Sequence, residues 1–158
     1  MEAEAFLADS VVAVEGKLYV QGGGWDQLQA ATLPVRQPRI GIAILLHVPY
    51  NDTNVPHQFE LRLEDADGNT LPLGDAPPGI STTDGKIRAI GGPVVVGRPP
   101  FLSPGDQQGV AIAANLDGLV FDKVGAYRFV VAVDGEDIKH LPFRIIINVP
   151  AQFSPVIR

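Results

Sequence analysis

The sequence predicts an all-β fold, a two-sheet antiparallel sandwich of about nine strands. Three observations carry that expectation. First, "PHQFELRLED" alternates His57, Phe59, Leu61 and Leu63 with Gln58, Glu60, Arg62 and Glu64, the period-two pattern of a strand with one buried and one wet face. Second, 17 glycines and 14 prolines are spread through 158 residues, so turn-formers interrupt the chain too often for long helices. Third, Asp67-Gly68 and Asp134-Gly135 each separate two strand-like runs, and both residue types tolerate the positive φ of tight hairpin turns. Apolar residues make up 46% and charged residues 19%, enough to bury a core in one domain spanning residues 1–158.

Taken in order, "EAEAFLA" could start a helix, but Val11, Val12, Val14 and the Glu15-Gly16 turn favour two strands at the N-terminus. "RIGIAILLHV" puts Ile40, Ile42, Ile44, Leu46 and Val48 on one face and Gly41, Ala43, Leu45 and His47 on the other. A strand apolar on both sides is central or covered on both faces. Next come the alternating strand 56–65 and a hairpin return at Thr70 to Leu73. "GKIRAIGGPVVVG" and "QQGVAIAANL" read as extended, the first broken by Gly91-Gly92-Pro93. Segments 74–85 and 98–106 are loops, rich in Gly, Pro, Asp and Ser. A final hairpin has Tyr127, Phe129, Val131 and Val133 on one face, and its last strand runs from about Asp137 to Val149.

"FDKVGAYRF" precedes that hairpin. Asp122, Gly125 and Tyr127 ahead of an alternating strand resemble the corner of immunoglobulin-like sandwiches, where a tyrosine hydroxyl bonds nearby backbone. Phe129 stands where antibody-type domains carry a cysteine, so the likeness is architectural, and a buried tyrosine in a barrel or other sandwich is the alternative.

The stretch "GKLYVQGGGWDQL" looks most like a functional motif. A phosphate loop needs a strand, a glycine pattern and a helix, with a lysine in the P-loop case; here Gly22-Gly23-Gly24 leads to Trp25-Asp26, and Pro34 stops any helix from growing. Three glycines therefore predict a strand that bends or crosses between sheets, Gly23 or Gly24 having positive φ or sitting at the bend, with Trp25 packed beside it. The segment Leu7 to Leu28, "LADSVVAVEGKLYVQGGGWDQL", resembles the opening of a family of bacterial single-domain proteins of unknown function that share an LAD…GKLxVxGGGWD pattern, and the likeness extends weakly to "GAYRFVVAVDGE". The resemblance implies no activity and carries over no site residues.

Composition excludes several partners. A net charge of −6 with scattered arginines opposes nucleic-acid binding, which draws on Lys and Arg to release counterions. No run approaches the about 20 apolar residues of a membrane helix, and Glu2 and Glu4 at the start argue against a secretory signal. The expected compartment is a bacterial cytoplasm. Without cysteine there is no disulfide or thiolate chemistry, and no G-x-S-x-G or H-E-x-x-H motif is present.

Four sets of candidate residues are left. His47, Asp52 and His57 flank the loop "HVPYNDTNVPH" and would suit Zn²⁺ or Fe²⁺ with an open position if they converged. Calcium would need Asp65, Asp67, Asp75 and Asp84 to gather at one end, although "DADGN" lacks EF-hand spacing. Trp25, Tyr19 and Tyr50 are the candidate stacking surfaces for a small ligand or carbohydrate. Finally, Leu45, Val130, Ala132 and Ile146 lie on strand faces opposite the expected core; in one sheet they would form an apolar patch to be covered by the chain itself or a second copy. The sequence thus favours a non-catalytic structural or protein-binding role without cofactor, the partner being a second copy or another protein. Ligand binding is the alternative, and a metal-dependent enzyme the third reading.

Overall fold

The computed structural model describes residues 1–148, and among these it contains thirteen β-strands and a single 3₁₀ turn, Tyr50–Asp52. The strands are β1 (Glu2–Ala8), β2 (Ser10–Val14), β3 (Lys17–Gln21), β4 (Gln27–Ala30), β5 (Val35–Pro49), β6 (Pro56–Asp65), β7 (Thr70–Leu71), β8 (Gly74–Asp75), β9 (Lys86–Ile87), β10 (Ala89–Val95), β11 (Gln107–Phe121), β12 (Gly125–Val133) and β13 (Glu136–Ile147). The count exceeds the expected nine because segment 1–30 supplies four strands and the 74–85 loop begins with a short pairing of β8 on β9. The expected last residue of the final strand, Val149, lies outside the described residues.

Two sheets face each other. One has the order β1-β5-β11, and the other β10-β6-β12-β13-β4, with β7 also on β6. All pairings are antiparallel except β4 on β13, which is parallel. The alternation read from the sequence sets both inner faces: Ile40, Ile42, Ile44, Leu46 and Val48 of β5 meet Leu61, Leu63, Phe129, Val131 and Phe143 in one buried cluster.

"EAEAFLA" forms β1, where pairing of its residues along β5 overrides local helix preference. The outer face of β5 is covered by the hairpin β2–β3. A side chain at Gly41 would come 3.0 Å from both Ser10 Cα and Val11 Cγ2, so glycine lets the hairpin cross there closely without pushing it outward. Ala8, Val11 and Ala43 make a second small core beneath it. Asn115 of β11 then ties the hairpin down, its Oδ1 accepting from Val11 N at 3.0 Å and its Nδ2 donating to Val11 O at 2.8 Å.

The three glycines form a bend. Gly22 and Gly24 have φ of 61° and 89°, while Gly23 is ordinary in φ but would place a Cβ 2.8 Å from Val20 and 2.9 Å from Phe6. The bend leads the chain from β3 in the hairpin to β4 in the opposite sheet. Gly91-Gly92-Pro93, expected to break a strand, stays within β10, an edge strand on which a missing N–H costs nothing if it points outward.

Candidate functional site

Tyr127 enters β12 from the turn after β11. Its ring packs on Phe121 and Phe143, with centroids 5.0 and 5.8 Å away, and its hydroxyl donates to Lys123 O at 2.8 Å, as the corner motif predicts. Burial pushes the phenol's pKa up, which keeps it a donor. This arrangement is structural.

The expected metal residues do not converge. His57 Nδ1 lies 2.7 Å from Asp134 Oδ2, and its Nε2 lies 2.8 Å from the backbone oxygen of Asp52, not its carboxylate. His47, at the other end of the loop, faces Glu4 at 3.7 Å. Both His57 nitrogens meet acceptors, so only the imidazolium satisfies both. The Asp134 hydrogen bond outweighs burial and raises its pKa. The His57 pair pins the β12–β13 turn against the start of β6, where Asp134 also accepts from Gln58 N at 2.7 Å. Among the described residues no group of three or more metal-ligating side chains gathers. The calcium candidates disperse in the same way. Asp65 accepts from Asp67 N and Asn69 N in its own turn, Asp75 pairs with Lys86, and Asp84 pairs with Arg88, which holds it down at about 2.

The aromatic candidates stand on three separate segments, the β3–β4 connection, the 3₁₀ turn and β3. Trp25 is half-buried and packs edge-on against Phe143 at 6.2 Å. Tyr50 lies under the Arg98 guanidinium, 3.8 Å from its ring centroid, and Arg98 also bonds Thr53 Oγ1 and Tyr50 O. Tyr19 projects from β3, 58% exposed. They do not present one stacking surface.

The expected apolar patch does not form either. Leu45 is in β5, whereas Val130, Ala132 and Ile146 are in the other sheet. Ile146 is six residues along β13 from His140, the partner of Val130, or about 20 Å at strand rise. Val130 and Ala132 are buried, and the register explains how. Arg62 of β6 sits opposite Val130 and Asp137 of β13 opposite Ala132, so the Arg62–Asp137 bridge, with contacts of 2.7 and 2.8 Å, spans β12 and lies over both. Arg62 and Arg128 also hold Glu64, 5% exposed, and their hydrogen bonds lower its pKa against the upward pull of burial. An apolar row thus lies beneath an ion-pair lattice, and this face is not an apolar interface.

Another surface is open. β11 runs 15 residues, pairs with β5 from Gln107↔Pro49 to Phe121↔Val35, and has no strand on its other side among the described residues. Its inward-facing Val110, Ile112 and Ala114 are only half-buried as a result. The sole charge in β11 is Asp117, already held by Arg39 at 2.6 and 2.9 Å. Every other edge carries a device that discourages pairing. β1 bears Glu2 and Glu4, β4 has four residues, and β10 contains Gly-Gly-Pro. The sequence signal was present in "QQGVAIAANL", ten residues without charge or proline, but an edge strand cannot be told from a central one by composition.

One cleft of about 650 Å³ opens at the far end of β11, floored by Leu63, Phe121 and Tyr127 and rimmed by Arg36 and Lys123; it touches β11 only from Asp117 onward. Among the described residues no helix is long and apolar enough to cross a membrane.

The family of unknown function DUF6941 matches residues 4–146. The chain belongs to that family. The match covers both sheets and the hairpin that caps β5, but brings no activity with it. No curated protein matches the chain. Among solved structures, the Pseudomonas fluorescens alkylpurine DNA glycosylase AlkC, bound to DNA containing an abasic site analog, aligns at 12% identity and a TM-score of 0.38, over 92% of this chain. The chain spans about a third of that protein's length, 31%.

Proposed function

We propose that this protein is a non-catalytic interaction module, immunoglobulin-like in strand order, that binds by accepting an extended strand along β11. The observation that carries the reading is the unprotected edge. In an antiparallel strand, alternate residues aim both N–H and C=O away from the neighbour, so an edge of this length offers a row of unpaired donors and acceptors. Strand addition satisfies such a row. Support for the immunoglobulin-like order comes from β1-β5-β11 facing β10-β6-β12-β13-β4 and from the Tyr127 corner at the start of β12. A cytoplasmic setting in bacteria, as expected from the sequence, is part of the same proposal.

A synthetic peptide with the sequence of residues 107–117 serves as a strand probe. Titrated into the protein, it is expected to shift backbone amide resonances along β11 and leave β10 and β4 unmoved. Saturating peptide with no shift in β11 would contradict the reading. The cleft favours a second reading, binding of a small molecule with an apolar body beside Tyr127; a compound screen that shifts Phe121 and Tyr127 resonances would support it.

A further inference from the structure

We infer that the strand β11 receives is β11 of a second copy, paired antiparallel about a two-fold axis at Ile112, so that two three-stranded sheets join into one of six. The inference rests on the strand-accepting reading above and names its partner.

Face parity comes first. Pairing must set inward residues opposite inward residues, so the axis has to pass through a residue and not between two; a half-step slip would turn apolar side chains outward. With the axis at Ile112, Ile112 meets its own copy, Val110 meets Ala114, and Ala111 meets Ala113. The inner row becomes continuous and apolar, and the outer row consists of small residues.

Two further pairs favour this register over its neighbours. Asn115, which holds the β2–β3 hairpin against the outer face, falls opposite Gly109 of the second copy, where no side chain obstructs the hairpin. Asp117 falls opposite Gln107, an uncharged amide, with Arg39 already balancing the carboxylate. An axis one residue later would place Asp117 against Gly109 and Ala111 against Asn115. No like charges face each other across 107–117 in either case, which matters for a chain of net charge −6.

A second copy fits this edge better than a foreign peptide. Peptide-binding edges add alternating pockets that read side chains, and the cleft beside Tyr127 does not extend along residues 107–116. The symmetry also closes: each copy contributes the same edge, the shared edge is used up, and the remaining edges are blocked, so assembly stops at two. An interface of paired strands is smaller than the roughly 800 Å² per partner of standard stable complexes, so the dimer is expected to form with rising concentration.

The chain has no cysteine, so single introduced thiols report the register cleanly. Ile112→Cys should oxidise to a disulfide-linked dimer, Ala111→Cys mixed with Ala113→Cys should cross-link to each other, and Ala89→Cys on β10 should not. In sedimentation, wild type should double its mass as concentration rises, and Ile112→Lys should lose that doubling. If Ile112→Lys fails to unfold cooperatively, Ala111→Lys on the outer face replaces it. Wild type remaining monomeric at high concentration would overturn the second-copy inference while leaving strand acceptance to the peptide titration. A dimer indifferent to both lysine variants, without the Ile112→Cys cross-link, would overturn the inference and the β11 reading together.

Discussion

At Tyr127 one hydroxyl fixes a corner. It donates to Lys123 O while the ring lies between Phe121 and Phe143, so Tyr127→Phe should keep the packing and lose about 1 kcal/mol, the net worth of one hydrogen bond. Urea unfolding of the two proteins measures this, and coincident curves would show that the corner contributes nothing. His57 makes a prediction in pH. Its pKa is raised in the folded chain by Asp134, so its stabilising contribution is complete below the unfolded value of about 6.5 and is lost as pH rises through the folded value. Unfolding midpoints between pH 6 and 9 should therefore fall more in wild type than in His57→Gln. The corner was legible from Asp122, Gly125 and Tyr127 because its contacts are local. In the sequence His57 resembles a metal ligand because its partner, Asp134, lies 77 positions away.

At the level of elements, local pattern served well and pairing did not. The alternation of β6, the turns at Glu15-Gly16 and Asp134-Gly135, and the bend at the three glycines all follow from short-range rules. That β5 and β12 belong to different sheets, and that Arg62 reaches Asp137 across β12, are set by contacts distant in the chain, which periodicity does not encode. The patch drawn from Leu45, Val130, Ala132 and Ile146 failed for that reason. The hairpin β2–β3 gives an element-scale test. Asn115 supplies both bonds to the Val11 backbone, and Val11 is 1% exposed, so Asn115→Ala should cost about 2 kcal/mol and speed amide exchange in residues 10–21. Unchanged exchange there would mean that the small core of Ala8, Val11 and Ala43 holds the hairpin unaided.

Across the whole molecule, a sandwich has to deal with four sheet edges, and among the described residues β11 is a long one with no strand beside it. The ion lattice of Arg62, Glu64, Arg128 and Asp137 lies over Val130 and Ala132 on the outer face of the larger sheet, and the N-terminal hairpin packs on Gly41, Ala43 and Asn115 of the smaller one. The proposed strand pairing rests on β11, the long edge that neither device covers among the described residues. The most direct measurement is amide hydrogen exchange along the chain in dilute and in concentrated wild-type protein. The account predicts that exchange slows with concentration within residues 107–117 and nowhere else; unchanged exchange in β11, or protection gained on β10 or β4 instead, would contradict it.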